Sequence, residues 1–396
     1  MEAQTKTNAN KTKTIIIVSV LAIAAASMGW YAKSNWFKAG TPAATCNLSQ
    51  TNVYDKYKFA VPIIFTEYVY EVSIKGSAPV AFTQNINGDW DLYNEYTSPL
   101  TVSGTAFFVS DKGQLVTNKH VVEPWSYNEE SSSLSTTLTY FVKADVQPAD
   151  IKSFLLTNWE NRYQDYEGDG EEVETTTETI TETPEVTADA TETTPTENNE
   201  EDEEVSDMVA QAQTEATPLP AATEGSYITV SDIKITPKRV RVYIAMHGTE
   251  ITPSSIIPCK VINLSSDNAI DVALIQTKDK KLPKQVKDFI HLDSASTADQ
   301  NIKPGTKAYM LGYPMGTTLA STKKGIRVQI YEGQVNKESD GTSLQYNITS
   351  THGASGSPVI NDCGQLIAVN YAGFDEAQGF NFGIVAKHAL ELYNDQ

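Results

Sequence analysis

The chain is 396 residues long and carries 50 Asp and Glu against 30 Lys and Arg, a formal net charge of −20. That acidity is local: residues 163–233 contain 21 Asp or Glu and no Lys or Arg, which leaves the remainder at about +1. A uniformly acidic protein is excluded, and no nucleic-acid partner is expected. The odd count of three cysteines, Cys46, Cys259 and Cys363, excludes a fully paired disulfide framework. No Cys or His pair stands at zinc-ligand separation, so no metal and no cofactor are expected.

Lys6, Lys11 and Lys13 precede an apolar run over 15–32, broken only by Ser19, Ser27 and Gly29. Roughly 18 residues of this kind can span a bilayer, with Trp30 and Tyr31 placed at the interface. Ala24-Ala25-Ala26 also offers a small-residue cleavage site, which would make the segment a signal peptide. Either outcome exports the rest of the chain. Residues 1–13 then form a cytoplasmic N-terminus, 14–32 the anchor or signal segment and 33–50 a linker. Lys33 and Lys38 make the charge asymmetry modest.

Residues 52–60 look like a short helix, and 61–70 begin the first run of strands, while 75–103 are polar and aromatic and read as loop. From Gly104 the chain reads Gly-Thr-Ala-Phe-Phe-Val, turns at Asp111-Lys112-Gly113, and continues Leu-Val-Thr-Asn-Lys-His-Val-Val. This pattern predicts a hairpin that delivers His120 at a strand end. Residues 148–160 have helical spacing of apolar side chains and are expected to pack on the barrel. The following tract, 165–225, is rich in Thr, Glu and Pro and poor in apolar residues, so it is expected to be disordered. Asp165 to Gly170 begins like a calcium loop, but its twelfth position is Thr176 in place of the Glu such a loop needs. Strands resume over 240–246 and 256–264. A further strand follows Asn268-Ala269-Ile270-Asp271, which sets a carboxylate at the head of Val272-Ala273-Leu274-Ile275. Period-two runs such as 328–332 mark a second set of strands beginning near Asn301, and 387–393 fits a closing helix.

The chemistry converges on Gly353-Ala354-Ser355-Gly356-Ser357-Pro358. A serine flanked by glycines presents a hydroxyl beside free backbone donors. The N–H groups of Gly353 and Ser355, with Ala354 as a third candidate, can turn toward one point and hold an oxyanion. His120 and Asp271 supply a base and its orienting carboxylate. Asp267 competes with Asp271 for that role. For each residue a plainer reading exists: a glycine-rich turn at Ser355, a turn carboxylate at Asp271, a structural histidine at His120. His247, His291 and His388 take the structural or exposed reading. His352 could border a cleft or sit in an exposed turn.

The order His120, Asp271, Ser355 and the blocks 104–122, 261–276, 308–316 and 348–373, closed by 380–385, resemble the trypsin-like serine proteases, in particular the bacterial HtrA/Deg branch. The resemblance covers most of 51–396. It implies an all-β fold of two six-stranded antiparallel barrels with the active-site cleft between them and a C-terminal helix. Residues 51–290 would form the N-terminal barrel, interrupted by an insert over 124–236, and 291–396 the C-terminal barrel. Cys259 and Cys363 would then lie in different barrels and are not expected to pair, while Cys46 could reach either or pair between molecules.

By the same resemblance the primary pocket is lined by Thr349 and Ser350, by Asn370, Tyr371 and Ala372, and by 380–382. It has no acid at its base, so small or medium apolar side chains are expected in the substrate. Ser357 stands where the family usually has glycine. The C-terminal PDZ domain usual in the family is not expected here, and a long insert follows His120 where the family normally goes straight to the next hairpin. The expected activity is serine endopeptidase cleavage of extended or unfolded protein by an exported, membrane-anchored enzyme, on the periplasmic or extracellular side of a bacterial cell membrane. A homotrimer is in keeping with the family. The alternative is a catalytically silent domain that serves as a binding scaffold, with the acidic insert recruiting a basic partner.

Overall fold

The computed structural model describes residues 47–161, 227–292, 302–373 and 379–395. The expected anchor (14–32), Cys46, the calcium-like stretch and the acidic tract lie outside the described residues. Among the described residues no helix is long and apolar enough to cross a membrane. The chain gathers into two compact units: one holds the chain up to Tyr68, Thr101–Tyr127 and Arg239 onward, the other Val69–Leu100 and Asn128–Lys238.

The first unit is mostly β. It opens on helix α1 (Gln50–Tyr57), capped by the Ser49 hydroxyl on the N–H of Asn52 and anchored by Val53 and Tyr57, one turn apart and both buried. Its first sheet runs in the order β1-β7-β8-β9-β6-β5, with β4 beside β1. The strands are β1 (Ile63–Ile74), β4 (Leu100–Thr105), β5 (Phe107–Phe108), β6 (Gln114–Thr117), β7 (Ile233–Ala245), β8 (Ile257–Leu264) and β9 (Ala273–Thr277). The N–H groups of Ala106 and Phe108 reach back to Pro62 O at 3.1 Å and Ala60 O at 2.9 Å, so β5 returns to the segment that leads into β1. Ile64, Phe108, Leu115, Ile244 and Ile275 fill the sheet's interior.

The second sheet of this unit is a closed barrel of six strands, β10-β11-β12-β15-β14-β13. These are β10 (Lys307–Gly312), β11 (Gln329–Lys337), β12 (Ser343–Tyr346), β13 (Pro358–Asn361), β14 (Leu366–Gly373) and β15 (Asn381–Val385). Closure leaves no edge strand. Met310, Leu344, Ile348, Val359 and Ala368 fill it, and helix α5 (Ala386–Asn394) follows β15 with Ala386, Ala389 and Leu392 buried at helical spacing. A third cluster joins the two sheets, with Phe65, Phe107 and Leu274 from the first against Leu311, Ile360 and Val369 from the second. The Tyr313 hydroxyl adds a 3.0 Å bond to Val61 O.

In the second unit the structure departs from the sequence reading. Residues 75–103, expected as loop, contain strands β2 (Val80–Gln84) and β3 (Trp90–Leu92), which extend the outer half of β1. Val80, Phe82, Trp90 and Leu92 are buried at alternate positions, a pattern too short on either side of the polar turn at 85–89 to stand out. Helix α3 (Glu130–Phe141) was not foreseen. The helix expected over 148–160 is present as α4 (Ile151–Asn158), with Ile151 and Leu155 buried. Trp159 after α4 meets Phe82 and Phe141 at ring-centroid distances of 4.9 and 5.2 Å, and its indole N–H donates to Trp90 O at 3.2 Å.

Cys259 is a buried free thiol whose pKa burial pushes up to about 12, which makes it inert as a nucleophile. Cys363 is disulfide-bonded.

Candidate active site

His120 sits on helix α2 (Lys119–Val122), a single turn directly after β6, and not on the strand end itself. Val121 and Val122, both fully buried, fasten this turn to the core of the first sheet. Asp271 lies just before β9, which pairs with β6 so that Thr117 faces Ala273. Strand pairing therefore brings the two side chains together. Asp271 Oδ2 is 2.5 Å from His120 Nδ1, and its Oδ1 accepts the backbone N–H of His120 at 3.0 Å. The carboxylate is almost fully buried and the imidazole is a quarter exposed. Asp267 serves its own turn instead, where its Oδ1 accepts the Ala269 N–H.

Asn118, which sequence reasoning missed, donates its amide to Asp271 O at 2.6 Å and so ties the end of β6 to the Asp271 backbone. Tyr127, also missed, sets its ring edge-on to the imidazole, with centroids 5.8 Å apart. Burial first, and then the charges of Asp271 and Glu123, push its phenol pKa up to about 12.

Ser355 lies in the turn before β13. Gly353 and Gly356 have φ of +88° and +85°, backbone that side-chain-bearing residues rarely adopt. The turn is held from several sides. Thr105 donates its N–H to Ser355 O at 2.8 Å, and its hydroxyl donates to Gly353 O at 2.9 Å. Asn370 accepts the Gly356 N–H through its carbonyl and donates its amide to Ala354 O at 3.0 Å. A methyl group on Gly104 would stand 2.8 Å from Val121 and 3.1 Å from Ser355 O. The glycine thus lets the serine turn and the histidine helix approach across one backbone. No hydrogen bond joins Ser355 Oγ to the imidazole among the described residues.

Ala354, a third candidate donor to an oxyanion, is not available for it: its N–H goes to Thr351 O at 3.0 Å. The His352 carbonyl accepts the Met315 N–H at 2.6 Å, which turns the N–H of the same peptide, on Gly353, the opposite way.

The expected pocket residues divide. Thr349 is exposed and Tyr371 half-buried; burial, then Asp340 and Asp271, raise the Tyr371 pKa. Ser350 and Asn370 are buried and bonded to each other at 3.0 Å, with the Tyr346 hydroxyl on Asn370 Oδ1 at 2.7 Å. Their side chains brace the serine turn and do not stand open. Ala372 pairs with Phe382 across a bulge between β14 and β15.

His352 and His291 are exposed. His388 bridges Glu391 and Gly341 O. His247 is buried, accepts the Val328 N–H on Nδ1, and has its pKa pushed down to about 4 by burial and then by Arg327 and Lys58. An unfolded chain takes up a proton at this residue near pH 6.5 that the folded one refuses until about pH 4. The stability it contributes is therefore complete above pH 6.5 and falls as the pH drops through that window, by about 3 kcal/mol in all. Thermal melts at pH 7 and 4.5 are expected to show a smaller acid shift for His247→Asn than for wild type; equal shifts would refute the assignment.

The pattern of the trypsin-like peptidase domain matches residues 104–369. The chain belongs to the trypsin-like peptidase family. No curated protein matches the chain significantly. Solved structures that resemble this trypsin-like chain include a serine endoprotease from Yersinia pestis, at 12% identity and a TM-score of 0.39, covering 88% of this chain and 66% of that one. The HtrA-type protease AlgW with a tripeptide matches at 12% and 0.38, covering 88% and 63%. The chain thus spans about two thirds or less of the length of these two proteases.

Proposed function

We propose that this trypsin-like chain is an HtrA/Deg-like serine endopeptidase acting through Ser355, His120 and Asp271. The observation that carries the reading is the buried Asp271 carboxylate, which holds both Nδ1 and the backbone N–H of His120. A carboxylate so placed keeps the proton on Nδ1 and leaves Nε2 as the base. Ser355 Oγ attacks the scissile carbonyl as Nε2 takes its proton. The tetrahedral oxyanion is held by the N–H groups of Gly353 and Ser355, and collapse to the acyl-enzyme returns the proton to the leaving amine. Water then repeats the sequence. Formation of the Ser355–His120 hydrogen bond belongs to the substrate complex, where catalytic contacts tighten.

The first sheet serves as the counterpart of the closed barrel, in a two-barrel arrangement with the triad between. The substrate is an extended or unfolded protein segment that pairs with the end of β14 at Tyr371 and Ala372, beyond Val369 where the pairing with β13 stops, with a small or medium apolar side chain before the cleaved bond. The sequence of 14–32 supports export and a membrane anchor, with the enzyme on the periplasmic or extracellular face of a bacterial cell membrane. A trimer follows from the family resemblance, and a basic partner for 165–225 from charge.

The deciding experiment is fluorophosphonate labelling of the full chain, with the site mapped by mass spectrometry. Labelling on Ser355, lost in Ser355→Ala, is the expected result. An unlabelled wild type would remove the enzymatic reading and favour the silent scaffold.

A further inference from the structure

The turn after His120 is held by a residue from a distant part of the chain. Helix α2 has only four residues, so its last carbonyls have no partner within the helix. Arg239, on β7, supplies one. Its Nε donates to Val122 O at 3.0 Å, its Nη2 donates to Glu123 Oε1 at 3.2 Å, and its guanidinium lies 5.2 Å from the Trp125 ring centroid. A cation at a helix C-terminus is also favoured by the helix dipole. Only arginine can meet a carbonyl, a carboxylate and an aromatic face at once, because its donors form a planar fork. Tyr68 also packs on Trp125, with ring centroids 5.6 Å apart.

These contacts fall where the chain leaves the first unit. Tyr68, Tyr127 and Arg239 are the first-unit residues at three of the four crossings to the second. Each touches the histidine turn: Tyr68 on Trp125, Tyr127 on the imidazole, Arg239 on Val122, Glu123 and Trp125.

We propose that Arg239 is a positioning residue for His120, clamping the turn that carries the imidazole and making its placement depend on the strand that returns from residues 128–238. The inference rests on the reading of His120 as the general base. Arg239 touches neither substrate nor reacting atoms; it acts through the backbone of Val122 and the side chain of Glu123.

The test compares full-length wild type with Arg239→Gln, Arg239→Lys and Glu123→Gln. Two readouts are taken: kcat and KM on fluorescein-labelled casein, and the low-field proton resonance of His120 Nδ1–H across pH. Arg239→Gln is expected to lower kcat about tenfold or more with KM little changed, and to broaden or shift the resonance. Arg239→Lys, which keeps the charge but not the fork, is expected to recover part of kcat. Wild-type kcat and an unchanged resonance in all three variants would overturn the proposal. So would a loss of activity that only follows the unfolded fraction while the resonance of the folded protein stays put. Should Arg239→Gln not fold, Arg239→Lys and Glu123→Gln decide by the same criteria. If wild type does not label on Ser355, the enzymatic reading fails by itself, and the resonance still decides the clamp.

Discussion

Asp271→Asn will leave the protein folded and lower kcat by about four orders of magnitude. The size follows from which way the new amide must face. Asp271 Oδ1 accepts the backbone N–H of His120, a donor that cannot be reversed, so the asparagine oxygen has to occupy that place. Its NH2 group then faces Nδ1, now 2.5 Å from a carboxylate oxygen. A donor there forces Nδ1 to accept, which puts the ring proton on Nε2. In that tautomer the imidazole cannot take the proton of Ser355, although every heavy atom keeps its place. Asp267→Asn provides the control, since an asparagine oxygen serves the Ala269 N–H as well as a carboxylate does. Turnover of fluorescein-labelled casein by the two variants, with thermal melts alongside, makes the comparison. A kcat for Asp271→Asn within tenfold of wild type would mean that His120 does not act as the base.

The three residues of this argument were legible in the sequence because each carries a local mark. Ser355 stands between glycines, His120 ends a hairpin pattern, and Asp271 opens an apolar strand. What was not legible acts across long separations. Thr105 looks like any strand threonine, yet its hydroxyl serves Gly353 O and the N–H of Tyr313, more than two hundred residues away. Asn118 and Arg239 are similar: one answers a backbone carbonyl at Asp271 and the other the end of α2. Neither leaves a periodicity to read.

The elements that were missed failed for a different reason. Helix α3 reads ESSSLSTTLTYF, and serine and threonine are indifferent helix formers because their hydroxyls compete for backbone groups. In the structure those hydroxyls are answered inside the helix, with Thr136 donating to Ser132 O and Thr137 to Ser133 O. Leu134 and Leu138 supply the buried face. Conversely, Ser350 and Asn370 were read as pocket lining from the resemblance, whereas mutual hydrogen bonding turns both inward. Position in a family pattern fixed where these residues lie along the chain. It did not fix what their side chains face.

Gly356→Ala is expected to cost far more than a left-handed glycine position costs by itself. Its Cβ would stand 2.0 Å from Thr105 O and 2.5 Å from Thr117 Oγ1, at a φ of +85°. Thr105 cannot retreat, because its N–H is bonded to Ser355 O and its hydroxyl to Gly353 O and Tyr313 N. The serine turn must yield instead, and with it the N–H of Ser355. Gly76, in the second unit, isolates the backbone effect, since at φ +77° an added Cβ meets nothing within 4 Å. Gly76→Ala should therefore lose only about 1 kcal/mol, the usual left-handed penalty. Gly356→Ala should lose about 3 kcal/mol or more and label with fluorophosphonate far more slowly than its folded fraction allows. Urea melts and labelling rates of the two variants, side by side, separate strain from collision. Equal losses at the two glycines would show that the contact with Thr105 does not constrain the nucleophile's turn.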